Sequence, residues 1–134
     1  TEISRGLDVF ALQSSDYLTE NEIAAASLPE LNGIVNAQTQ EIVDWPAVPV
    51  VARAYMDQLQ RENRITTSQA GELGDALERA EALLGGGNGN RRSIARALNN
   101  LAEDFSDVAG NFDGISGVRY ASLAETLEGI ADSL

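Results

Sequence analysis

The sequence predicts a mainly α fold: an antiparallel four-helix bundle preceded by a single N-terminal β-strand and a short helix. Three observations carry that expectation. After position 48, leucine, isoleucine and alanine recur at steps of three and four in four separate stretches, the spacing that gathers apolar side chains on one helix face. Alanine is abundant while aromatics make up only 5% of residues, a mixture that suits close-packed helices better than strands. The opening residues alternate instead with a period of two, as a strand does. The chain therefore divides into a strand segment at 1–18, a short helix with its connector at 19–47, and a bundle at 48–134.

Each element has its own local reason. In Ile3-Ser4-Arg5-Gly6-Leu7-Asp8-Val9-Phe10, Leu7 and Val9 share a face and Asp8 points away. No partner strand follows, and a lone strand is unstable in water with its backbone unpaired. Leu7, Val9 and Phe10 are thus expected to dock on a sheet outside this chain, or on sequence removed from it. Thr19-Glu20-Asn21-Glu22 reads as a capping box, opening a short helix that ends near Pro29. The stretch from Leu31 to Asp44 suits either a helix or an extended connector.

Pro49 fits the first turn of the next helix, where a missing N–H costs nothing, and Val51, Ala52, Tyr55, Met56 and Leu59 follow at helical spacing to about Asn63. The cap cluster Thr66–Ser68 begins a helix with Ala70, Leu73, Leu77, Ala80 and Leu84 on one stripe, stopped by Gly85-Gly86-Gly87-Asn88-Gly89-Asn90. From about Arg92 to Val108, Ile94, Ala97, Leu98, Leu101, Phe105 and Val108 face inward. A Gly/Asn/Asp turn leads to a last helix with Ser116 as its N-cap and Tyr120, Leu123, Leu127, Ile130 and Leu134 in line. Four such stripes are buried together most simply in an antiparallel bundle.

Charge and composition exclude whole classes of function. The net charge is −12, all nine cationic residues are arginine, and there is no lysine, histidine or cysteine. An acidic chain repels phosphates and anionic lipid, so neither a nucleic-acid partner nor membrane insertion is expected; no apolar run approaches the ~20 residues of a membrane span. Solubility accounts for the acid without a specific ligand. The usual proton shuttles and thiol nucleophile are missing. The carboxylate pairs Glu20/Glu22, Glu78/Glu81, Glu103/Asp104 and Glu125/Glu128 fall on polar helix faces, where solvation is their expected role. No catalytic residue and no cofactor is expected.

Three further features have a plain reading beside a functional one. The glycine run before Arg91-Arg92 fits neither the phosphate-loop nor the dinucleotide spacing and reads as a hinge. Asn111-Phe112-Asp113-Gly114 hints at a calcium loop, with Asn111 and Asp113 as weak oxygen ligands. Placing Gly114 at that loop's glycine position, however, puts Ala109 and Tyr120 where carboxylates belong. Trp45, the only tryptophan, reads either as a plug at the top of the bundle or as an anchor for a partner; burial is the expectation, since so large a ring offers a small core much apolar area.

Two resemblances rest on these residues. Thr1-Glu2-Ile3-Ser4-Arg5-Gly6-Leu7-Asp8-Val9-Phe10 with Tyr17-Leu18-Thr19-Glu20-Asn21-Glu22 resembles the end of bacterial LVIVD-repeat β-propeller proteins, where such a strand closes the last blade. From Ala52-Arg53-Ala54-Tyr55-Met56-Asp57-Gln58-Leu59 onward, the order of helices, caps and turns resembles the FIMAH-type helical domain of bacterial extracellular proteins, without the histidine of that family's name motif. The resemblances imply an extracytoplasmic (secreted, periplasmic or surface) helical tail. Its partner would be a protein, either an upstream propeller or a neighbouring subunit. Self-assembly by strand donation and a weak calcium- or glycan-binding role are the alternatives. The opening at Thr1, with no signal peptide, reads as a mature product or a piece of something longer.

Overall fold

The computed structural model describes residues 10–29 and 43–134, and these are mainly helical. Five helices follow in order: α1 (Glu20–Ala26), α2 (Pro49–Arg61), α3 (Thr67–Leu84), α4 (Arg91–Ala109) and α5 (Ile115–Ser133). Among the described residues there is no strand. Residues 10–14 have no regular structure, and the one β-bridge, Ser15 to Leu18, closes a tight turn. Leu7 and Val9 of the expected strand lie outside the described residues.

The helices start and stop where their ends find hydrogen-bond partners. Thr19 and Thr66 each accept from the backbone N–H three residues on, and Glu22 and Gln69 return the bond, so both α1 and α3 open with a complete capping box. Asn90 caps α4 by accepting from Ser93 N–H at 3.1 Å. Two helices close with the same left-handed turn. In α2, Arg64 N–H donates to Leu59 carbonyl at 2.8 Å and Asn63 N–H to Gln60 carbonyl at 2.9 Å, with Asn63 at φ 53°. In α3, Gly87 N–H donates to Ala82 carbonyl at 2.8 Å and Gly86 N–H to Leu83 carbonyl at 3.0 Å, with Gly86 at φ 87°. These are Schellman ends, satisfying carbonyls the helix leaves open.

Contacts between named residues set the helix directions. Arg53 of early α2 pairs with Glu81 of late α3 at 2.7 Å. Phe105 of late α4 lies against Tyr120 of early α5, their ring centroids 6.0 Å apart, while Arg91 at the start of α4 donates to the carbonyl of Leu134 beyond the end of α5 at 2.8 Å. Ser116 of early α5 meets Glu62 just past α2. Adjacent helices in these pairs therefore run in opposite directions. Each of α2 to α5 packs on the next, α5 also packs on α2, and the most extensive interface is α4 on α5.

The core divides in two. The main cluster draws on α2 to α5, with Leu59, Leu73, Leu77, Leu98, Phe105, Tyr120, Leu123, Leu127 and Ile130 as its larger members. A smaller cluster joins Ala25 of α1 to Val51 and Ala54 on another face of α2. At ~25 cal/mol per Å² of apolar surface removed from water, the main cluster dominates the stability.

Several sequence expectations need correcting. Leu84 is exposed, and Leu83 is buried in its place, because Ala76, Ala80 and Leu83 continue the buried face of α3 at steps of four and three. Ala97 faces solvent while Ala102 is buried. Ser116 is not the N-cap of α5. Gly114, at φ 75°, takes that place, and the buried Ser116 hydroxyl donates to Glu62 Oε2 at 3.1 Å. Gly117 lies so close to the Phe112 carbonyl that a Cβ there would overlap it, which holds the α4–α5 turn against the first turn of α5.

Asn63 offers a direct test of this account. A left-handed residue with a Cβ is strained, and asparagine only partly relieves it. Asn63→Gly should raise the unfolding free energy by about 0.5–1 kcal/mol, read as a higher urea midpoint at unchanged slope.

Candidate functional site

The N-terminal segment is held at one end and bare at the other. Thr19 Oγ1 donates to Asp57 Oδ2 of α2 at 2.6 Å, and Asn21 Nδ2 donates to the same oxygen at 2.9 Å. Glu22 Oε2 accepts from Thr19 N–H at 2.8 Å and pairs with Arg61 of α2. The expectation that Glu22 is solvated is therefore wrong: its side chain is buried beneath the α1–α2 contact. Burial raises its pKa, but the Thr19 N–H, the hydrogen bonds from Arg61 and Gln58 and the Arg61 charge together outweigh burial and leave it below the ordinary 4.5.

Ahead of this lock, Ser15 and Leu18 exchange backbone hydrogen bonds of 2.8 and 3.2 Å, which places Asp16 and Tyr17 at the tip of a turn. Tyr17 is 83% exposed, Leu12 67% and Phe10 89%. Of the expected docking residues, Phe10 is thus open to solvent. Three large side chains stand open to solvent on one short segment.

A second feature lies where the chain enters α2. Residues 43–48 cross α5 at Gly129, and a Cβ on Gly129 would fall on the Cβ of Ala47. This close approach leaves a cleft of about 370 Å³ beside it. Trp45 and Tyr55 form its aromatic part, Asp44 and Glu125 bring carboxylates, and Ser122 and Thr126 of α5 are also part of its lining. Trp45 is 43% exposed, which corrects the expectation of burial. At the neighbouring Ala47 the backbone lies directly against Gly129 of α5, and the indole lines the cleft beside that crossing.

The opposite end of α5 is a closed polar and aromatic knot. Glu62 pairs with Arg119. The hydrogen bonds from Arg119 and Ser116, with the charges of Arg119 and Arg64, outweigh the raising effect of burial and lower its pKa. The Tyr120 hydroxyl donates to the Arg64 carbonyl at 2.7 Å, and burial pushes its pKa up. Phe112 stacks on Tyr120 at 5.5 Å, and the Arg64 guanidinium covers Phe112 at 5.1 Å. Nearby, Asn111 and Asp113 are exposed, and the Asn111 amide donates to the Asp107 carbonyl at 3.2 Å. Among the described residues no group of three or more carboxylates converges as metal ligands would. A shallow groove between α4 and α5 carries Glu103, Asp107, Glu128 and Asp132 without such convergence.

No protein family's sequence profile matches the chain, and neither a curated protein nor a solved structure matches it.

A carboxyl held below 4.5 stabilises the fold fully above its unfolded pKa and loses that contribution as pH falls through the folded one. The urea midpoint should therefore fall between about pH 5 and pH 3. Glu22→Gln should lower stability at pH 7 by about 1–3 kcal/mol and flatten part of that acid slope. Gly129→Ala should cost about 1–3 kcal/mol by overpacking and shift the emission of Trp45. Gly71→Ala, at a helical glycine with open space around it, should instead stabilise by about 0.5–1 kcal/mol.

Proposed function

We propose that this chain is a non-catalytic interaction module of an extracytoplasmic bacterial protein, secreted or displayed at the cell surface. Its scaffold is an antiparallel four-helix bundle of α2 to α5, a reading supported by the opposed directions of the neighbouring helices. Its docking element is the N-terminal segment, and the partner is a protein whose sheet or groove covers Phe10, Leu12 and Tyr17. Leu7 and Val9 would extend the same docking strand.

The observation that carries this reading is the exposure of those three side chains on a segment whose far end is fixed to α2 by Thr19, Asn21 and Glu22. A loose apolar tail would collapse on the nearest hydrophobic surface. A segment anchored at its root and bare at its tip is instead presented outward. The resemblance of these residues to a strand that closes a propeller blade points to an edge strand as the receiving surface.

The test is photo-crosslinking. With p-benzoylphenylalanine in place of Phe10, irradiation of cells of the source organism should yield one discrete protein adduct. The same probe in place of Glu78, exposed on α3, should yield none. Equal yields at the two positions would end this reading. An adduct with the mass of two copies would make the partner a neighbouring subunit.

A further inference from the structure

We infer that the cleft beside Trp45 is a receptor for an exposed arginine side chain of a partner polypeptide. The lining supplies both parts of such a site. Trp45 and Tyr55 offer aromatic groups, and Asp44 and Glu125 offer carboxylates. A guanidinium is the group that gains from both, stacking on an aromatic face while it hydrogen-bonds to a carboxylate. At about 370 Å³ the cleft stands at the small end of the ~300–1,000 Å³ range of ligand pockets. That is room for one side chain rather than a cofactor.

The charge of the cleft favours a cation from outside. None of the described arginines lines it. Arg53, Arg61 and Arg119 are engaged with Glu81, Glu22 and Glu62, and Arg64 covers Phe112. Residues 30–42, which lead into Val43, contain no arginine or lysine. Among the described residues, the two carboxylates therefore line the cleft without a cationic neighbour, on a chain of net charge −12 whose field draws positive groups inward. A neutral sugar would use the aromatic groups but gain nothing from that field.

The cleft is also held in shape. The Ala47–Gly129 approach fixes residues 43–48 against α5, and Val48 N–H donates to the Pro46 carbonyl at 2.9 Å, so Trp45 is carried on a constrained turn at the helix entry.

Trp45 is the only tryptophan and reports on its own site. The full chain is titrated with acetyl-Gly-Arg-Gly-amide at low salt while Trp45 emission is followed. The uncharged citrulline peptide and choline serve as comparison ligands. A saturable change is expected with the arginine peptide and is expected to be at least about fivefold weaker with citrulline or choline. Asp44→Asn and Glu125→Gln, both at exposed positions, should each weaken it about fivefold or more while the thermal midpoint stays unchanged. Added salt should weaken it further. The inference is overturned by no saturable change, by an equal response to citrulline, by preference for choline, or by indifference to both substitutions. The outcome is independent of the crosslinking at Phe10, since the two surfaces share no residue.

Discussion

The position of α5 between two neighbours constrains everything else in this molecule. It packs on α4 along one side and on α2 along another, so it must shed water over more than the single stripe of an ordinary surface helix. Beyond Tyr120, Leu123, Leu127 and Ile130, it also buries Ser116, Ala124, Thr126 and Ala131. Small residues permit the second approach, most plainly at Gly129, where Ala47 takes the space of the missing side chain. The two buried hydroxyls bring their own partners, Ser116 to Glu62 and Thr126 to the Ser122 carbonyl at 2.7 Å, so neither is left unsatisfied in the interior. Two of the other long helices meet it directly, α4 through Phe105 and Arg91 and α2 through the flanking Ala47 and Glu62, while α3 packs on α2 and α4.

Much of the fold is legible in the sequence because its signals are local. Thr19 with Glu22, Pro49, the threonine cluster at 66–67 and the glycine run at 85–89 mark helix ends within a few residues of where the backbone places them. The stripes of α3 and α5 are read from spacing alone. The departures arise where tertiary contacts choose between residues that the spacing leaves equal. Leu83 and Leu84 are equivalent in hydropathy, and Leu83 is the one that continues the buried face of Ala76 and Ala80. Ser116 looks like a cap because serine so often is one, yet Glu62, 54 residues away in sequence, claims its hydroxyl.

The candidate surfaces are legible to different degrees for the same reason. An apolar run lacking a partner strand shows in the sequence, and Phe10 stands exposed within it. What holds that run in place does not show, since Asp57 lies 36 and 38 residues from the groups that bond to it. Glu22 was visible as a capping residue but not as half of a buried ion pair. The cleft is less visible still: it lies where residue 47 meets residue 129, and the one available hint was a tryptophan followed by Pro46 in a connector.

The attachment of α1 has a mechanical consequence. α1 meets α2 on a face turned away from the main core, through the small cluster of Ala25, Val51 and Ala54 and a few polar bonds. Its release would uncover little apolar area and leave Leu59, Leu73, Phe105, Tyr120 and Leu127 packed. The molecule therefore has two tiers of cooperativity, a shallow one for residues 10–29 and a deep one for the four long helices. Any partner that grips Phe10 pulls on the shallow tier first, so a strained attachment can yield by unpeeling one short helix, and the rest of the fold is spared the load.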